Sequence, residues 1–239
     1  MKKTKTINII NGICIFALIF TMSIAKASKV EISKSLKSGI NEINYQTTLL
    51  RQSRAIKYEN LARDLEDFKE KGSSGIDSSN MLYLLKSDQF SADELENAIK
   101  DTGLAGLGKD FKAAEDKYGV NAILLMAMAK HETGNGTSEL FNDKNNLFGF
   151  NAVDDDPYNK ASHFDSPADS IDTLAKHLKE NYLDPKGSYY NGVSTDGIGI
   201  SYATDPDWAS KVNWMMIEVS QNMIDSFNEE GRLLVCLFL

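Results

Sequence analysis

The stretch AILLMAMAKHETGNG, residues 122–136, decides the architecture. Its first ten residues are nearly all apolar and show no wet side. A surface helix carries an apolar stripe and a polar face, whereas a segment apolar all round is buried. The composition therefore predicts a buried central helix from Ala122 to about His131, ended by Gly134-Asn135-Gly136. Glu132 then stands at the close of that helix, at the negative end of its dipole, with apolar neighbours such as Met128 stripping water from it. Both effects disfavour the carboxylate and raise its pKa. An acid that keeps its proton near neutral pH can give it to a leaving oxygen, which is what glycosidic cleavage requires. In that reading Gly134 and Gly136 turn the backbone sharply and admit a substrate close to the main chain. The plainer alternative is an ion pair from Glu132 to Lys130 or Lys144, with the glycines forming only a helix cap. A zinc-protease site is excluded, because Asn135 stands where the second His ligand must be.

Further helices are predicted around this one. Ser91 and Glu94 form a capping box for a helix running to about Asp101. Phe111 to Tyr118 reads as a helix stopped by Gly119. Ser166-Pro167 starts another, with Ile171, Leu174, Ala175 and Leu178 at helical spacing. Asp205-Pro206 starts the last, with Trp208, Val212, Met216, Val219 and Met223 on one face. Between residues 140 and 165 the chain is rich in Asn, Asp and Gly, which suits two or three short strands or a long loop. The expected class is mainly α: a helical lobe, a small irregular or β lobe, and a cleft between them.

The ends of the chain read differently. Basic Lys2, Lys3 and Lys5, an apolar run from Ile9 to Ala25 and the small-x-small site Ala25-Lys26-Ala27 predict a secretory signal peptide over residues 1–27. That predicts a secreted protein of the cell wall or extracellular space. Its removal takes four Lys and moves the net charge from −8 to about −12. Such a surface argues against nucleic acid as a partner. Residues 28–70 read as a charged helical stalk, with Leu36, Ile40, Ile43 and Leu50 on a stripe that Thr47, Arg54 and Lys57 interrupt. Self-association through this segment is the partner call it supports. KGSSGIDSSN, residues 71–80, reads as a Gly/Ser linker, followed by a catalytic domain over residues 81–225 and an apolar tail over 226–239. Only Cys236 lies outside the leader, and His131, His163 and His177 lack ligand spacing, so neither a metal nor a cofactor is expected.

Three blocks carry a family resemblance: HETGNGTS (131–138), NNLFGFNAVDDDPY (145–158) and YATDPDWASKV (202–212). Together, in this order, they resemble the autolysin-type glucosaminidases of glycoside hydrolase family 73. The resemblance covers about residues 81–225. It implies a lysozyme-like fold and an endo-acting N-acetylglucosaminidase on bacterial peptidoglycan, cutting the β-1,4 bond after N-acetylglucosamine. It maps the acidic Glu onto Glu132, a functional Tyr onto Tyr202, and a cleft-lining motif onto Asn146, Phe148 and Gly149. A second carboxylate is left open. There is no Glu between Glu139 and Glu180, and the matched acids are Asp154 and Asp156. Asp156 or Asp154 would act as base or stabiliser, or the substrate's own acetamido group would serve. The aromatics Phe148, Phe150, Tyr158, Tyr189, Tyr190, Tyr202 and Trp208 could stack on sugars, with Trp208 and Phe148 at least partly structural. Two competitors share the scaffold: a lytic transglycosylase, and an inactive wall-binding module.

Overall fold

The computed structural model describes residues 29–87, 89–151 and 157–237. Asp154, Asp156 and the expected leader lie outside the described residues. The described residues form helices and turns, with no strand among them. The helices are α1 (Lys29–Lys71), α2 (Ala92–Glu96), α3 (Gly108–Tyr118), α4 (Ala122–Thr133), α5 (Glu139–Lys144), α6 (Pro157–Lys160), α7 (Pro167–His177), α8 (Thr195–Tyr202) and α9 (Trp208–Leu237). A π-helical turn, Leu178–Tyr182, continues α7. None of the described helices is long and apolar enough to cross a membrane.

The chain divides into two compact units at Lys57/Tyr58. In the first, the large apolar side chains Leu36, Ile40, Ile43, Tyr45, Leu49, Leu50 and Ile56 are exposed. The second unit holds the core. Its outset is not the Gly/Ser stretch but the last part of α1, from which Tyr58, Leu61, Leu65 and Phe68 are all buried.

The Gly/Ser stretch is a set of pinned turns. Ser73 is buried, shares a 2.7 Å hydrogen bond with the Thr195 hydroxyl and accepts from the Thr195 amide at 3.0 Å. Asn80 donates to the Asp64 carbonyl at 3.0 Å, and Asp64 accepts from the Met81 amide at 2.9 Å. Composition alone suggests a flexible spacer here; these bonds make it part of the body.

At the centre lies α4, buried on every side from Ala122 to Lys130. Asn121 caps it, accepting from the Ile123 amide at 2.9 Å. The helix packs against α3 and α9. From α9 it meets Trp208, Val212, Met216, Val219 and Met223, all buried at the spacing of one helix face. Ile171, Leu174 and Ala175 of α7 complete the same core. Ser166 caps α7 with Pro at its first turn, and Gly119 ends α3 in the left-handed region at φ 67°.

The Ser91–Glu94 capping box is formed, but α2 stops at Glu96 rather than near Asp101. The Glu96 carboxylate accepts from the amides of Gly106 and Gly108 at 2.7 and 2.9 Å, capping the start of α3 instead. The intervening turns carry Gly103 across to the end of α4, where its amide donates to the Asn135 carbonyl at 2.9 Å. Residues 139–165, as far as described, hold two short helices and turns instead of strands. The expected tail extends α9, and its beginning packs on the body: Phe227 stacks on Tyr58 with ring centres 4.3 Å apart.

Candidate active site

Glu132 occupies the last turn of α4 and is half-buried. Neither lysine of the plainer alternative pairs with it. Lys130 is buried and forms an ion pair with Glu218 of α9 at 3.2 Å. Lys144 donates to the carbonyls of Tyr158 and Ala161. The partner Glu132 does have is Trp208, the first residue of α9, whose indole N–H donates to Oε1 at 3.0 Å. No carboxylate among the described residues perturbs Glu132. Burial pushes its carboxyl up from the ordinary range, against the opposing pull of the Trp208 hydrogen bond and of neighbouring His131. Desolvation outweighs both, so the carboxyl gives up its proton at a higher pH than an ordinary glutamic acid.

Tyr202, the last residue of α8, lies against Trp208 with ring centres 4.9 Å apart. Burial, reinforced by the charge of Glu132 and by Tyr182, holds its phenol well above its ordinary value. At neutral pH it is therefore a neutral hydroxyl beside the acid. From Tyr202 the aromatic contacts continue. Tyr182 meets Tyr202 edge-on at 5.9 Å and Tyr189 at 5.1 Å, and His177 lies 5.5 Å from Tyr182 and 6.3 Å from Phe150. Tyr189 is exposed, so this run surfaces there. The π-turn places Tyr182 in it; such turns recur at functional sites. Tyr182 carries no sequence signal of this role, because the extra residue that re-aims it has no compositional mark.

The resemblance-derived binding residues join this run through Phe150. Asn146 is buried, and its side chain is fully engaged. It donates to the carbonyls of Phe150 and Ser162 at 3.0 Å each, and accepts from the amides of Phe148 and Phe150 at 3.4 and 3.0 Å. It organises the loop. Phe148 is buried in the core, with Phe150 edge-on at 6.5 Å. Of the other acids near this loop, Asp143 accepts from Tyr158, Asp169 from Ser166, and Asp172 from Lys117 and Tyr118. Asp205 closes the turn before α9, accepting from the Asp207 amide at 2.9 Å and pairing with Lys211 at 2.5 Å.

The glycine reading needs correction at Gly136. Gly134 is a helix cap in the left-handed region at φ 55°. Gly136, at φ 84°, is buried against backbone of its own chain: an added Cβ would lie 2.4 Å from the Gly103 carbonyl carbon. What approaches it closely is Gly103, not open space for a substrate. Gly136→Ala is expected to lower stability by at least about 1–3 kcal/mol. Urea unfolding checks this, and an unchanged midpoint would refute the close-packing account.

Residues 108–221 match the family described as mannosyl-glycoprotein endo-beta-N-acetylglucosaminidase. A Streptococcus pneumoniae protein provisionally named an endo-beta-N-acetylglucosaminidase is 34% identical over 145 residues, 59% of this chain and 22% of that protein. A Staphylococcus aureus bifunctional autolysin is 29% identical over 177 residues, 63% of this chain and 14% of that protein. The chain thus matches about a fifth or less of the length of these relatives. Among solved structures, Staphylococcus aureus autolysin E is 26% identical, with a TM-score of 0.48, over 68% of this chain and 77% of that one. A catalytic mutant of the same autolysin with the disaccharide NAG-NAM is 22% identical, also at 0.48, over 67% and 90%.

Proposed function

Residues 108–221 form a glucosaminidase-family domain, and from that premise we infer that the chain is a peptidoglycan hydrolase, an endo-β-N-acetylglucosaminidase acting outside the cell. The observation that carries this reading is a half-buried carboxyl at the end of the buried α4, fixed by an indole N–H, pushed above the ordinary carboxylate range by burial and flanked by a neutral phenol. Glu132 gives its proton to the glycosidic oxygen as the C1–O bond breaks. The developing positive charge on the sugar is then met by Asp154 or Asp156, or by the substrate's acetamido oxygen. Water adds its hydroxyl to C1 and returns a proton to the site. Tyr202 supplies an O–H to orient the acetamido group. Self-association through residues 28–70 belongs to the same proposal, and the exposed apolar side chains between Leu36 and Ile56 support it.

Mass spectrometry of purified peptidoglycan digested by the chain tests the reaction. New reducing N-acetylglucosamine ends are expected. Anhydro ends would make it a transglycosylase, reducing N-acetylmuramic acid ends would move the cut to the other bond, and an unaltered wall would leave a binding module.

A further inference from the structure

Trp208 is almost fully buried, on α9 where it packs against α4 and α8. What indole adds is one N–H, and that N–H goes to Oε1 of Glu132 at 3.0 Å. An indole nitrogen only donates. Oε1 therefore accepts whether the carboxyl is charged or neutral, and in the acid form the carbonyl oxygen, the better acceptor, is favoured at Oε1, which leaves the hydrogen to Oε2. Among the described residues Oε2 has no partner of its own, and no buried side-chain oxygen is left without one. Oε2 is thus the oxygen that reaches solvent. We propose that Trp208 is a positioning residue for the proton transfer: it ties Oε1 into the wall and assigns the acid hydrogen to the accessible Oε2. This rests on the hydrolase reading for its consequence, though not for its geometry. It gives a donor-only side chain a task that Phe, which has no polar hydrogen to give, cannot perform.

Among the described residues the groups around the carboxyl are few. His131 precedes it on α4, Tyr202 faces it from α8, and Asp205, before α9, acts on His131. Lys130 is occupied by Glu218, and Asp205 by Lys211.

The chain has two Trp, and the second, Trp214, is exposed, so two indole N–H signals report separately. In the 15N-labelled full-length chain, the Trp208 indole resonance is expected to move with pH as Glu132 titrates. It should stop moving in Glu132→Gln, whose carbonyl oxygen keeps the hydrogen bond, while the Trp214 signal stays put in both. A Trp208 signal indifferent to pH, or one titrating equally in Glu132→Gln, overturns the proposal. Neither measurement needs substrate, so a wild type that cleaves nothing would sink the hydrolase reading while leaving the tether intact. In Trp208→Phe, kcat on peptidoglycan is expected to fall about 10- to 100-fold with KM nearly unchanged. The alkaline limb of its pH profile should move upward, because the bond that favours the ionised form is gone. A folded Trp208→Phe protein with wild-type kcat and an unmoved limb would reduce Trp208 to a core residue.

Discussion

Replacing Glu132 by Gln is expected to lower kcat on peptidoglycan by about 10²–10⁴-fold, the usual worth of a placed general acid. Gln is close to Glu in size, and its oxygen still accepts from the Trp208 indole, so the wall of the site is kept. What disappears is the transferable hydrogen. Sugar binding should survive, and the loss should sit in kcat rather than KM, because the interaction removed acts as the bond breaks. Wild-type turnover by the variant would remove Glu132 from the mechanism and return attention to Asp154 and Asp156.

The same substitution has a predicted sign on stability, and it runs opposite to activity. The folded protein holds the Glu132 carboxyl above its ordinary range because burial penalises the charge. A group whose folded pKa is raised favours the native state below its unfolded value of about 4.3 and loses that contribution as pH rises through the folded value. Glu132→Gln has no charge to bury. Relative to wild type it is expected to be equally stable in acid and more stable at neutral pH. Thermal unfolding at both pH values reads this directly. A variant that is less active and less stable at neutral pH would mean that the carboxylate is a structural partner and not a strained acid.

Much of this site is written in local sequence, and the rest is not for an identifiable reason. An apolar run without a wet face can only be interior, so α4 and the position of Glu132 at its end follow from residues 122–133 alone. The buried spacing from Trp208 to Met223 and the caps Ser91, Ser166 and Gly119 are local patterns too. The Trp208–Glu132 bond joins residues 76 apart, and nothing near Trp208 announces a carboxyl partner. Gly136 looks like a substrate-admitting glycine until Gly103 arrives from another loop. Asn146 and Phe148 fall in a motif that the resemblance assigns to the cleft; both are buried here, and Asn146 bonds within its own loop. Residues 71–80 have linker composition because their constraint comes from Thr195, 122 positions beyond Ser73. At Trp208, Gly136 and Ser73 the missing information is a long-range contact, which periodicity and composition do not encode.

That last misreading leads to a sharp expectation about where the body starts. A chain beginning at Gly72, close to the boundary that composition suggests, is expected not to fold, whereas one beginning at Ala55 should keep the cooperative unfolding of the full chain. Tyr58, Leu61, Leu65 and Phe68 are 3%, 0%, 1% and 1% exposed. Each such side chain contributes about 1.5–3 kcal/mol on burial. Four of them rival the whole stability of an ordinary domain, about 5–15 kcal/mol. Their loss also strips partners from elsewhere: Phe227 and Phe90 lose the Tyr58 ring, and the Met81 amide and Asn80 side chain lose Asp64. Residues before Tyr58 belong to the other compact unit, and their large apolar side chains from Leu36 to Ile56 are exposed. Circular dichroism melts of the two truncations decide the matter. A cooperative transition in the chain starting at Gly72, at the midpoint of the longer one, would show that α1 is dispensable. The catalytic unit would then begin where the glycines and serines suggest.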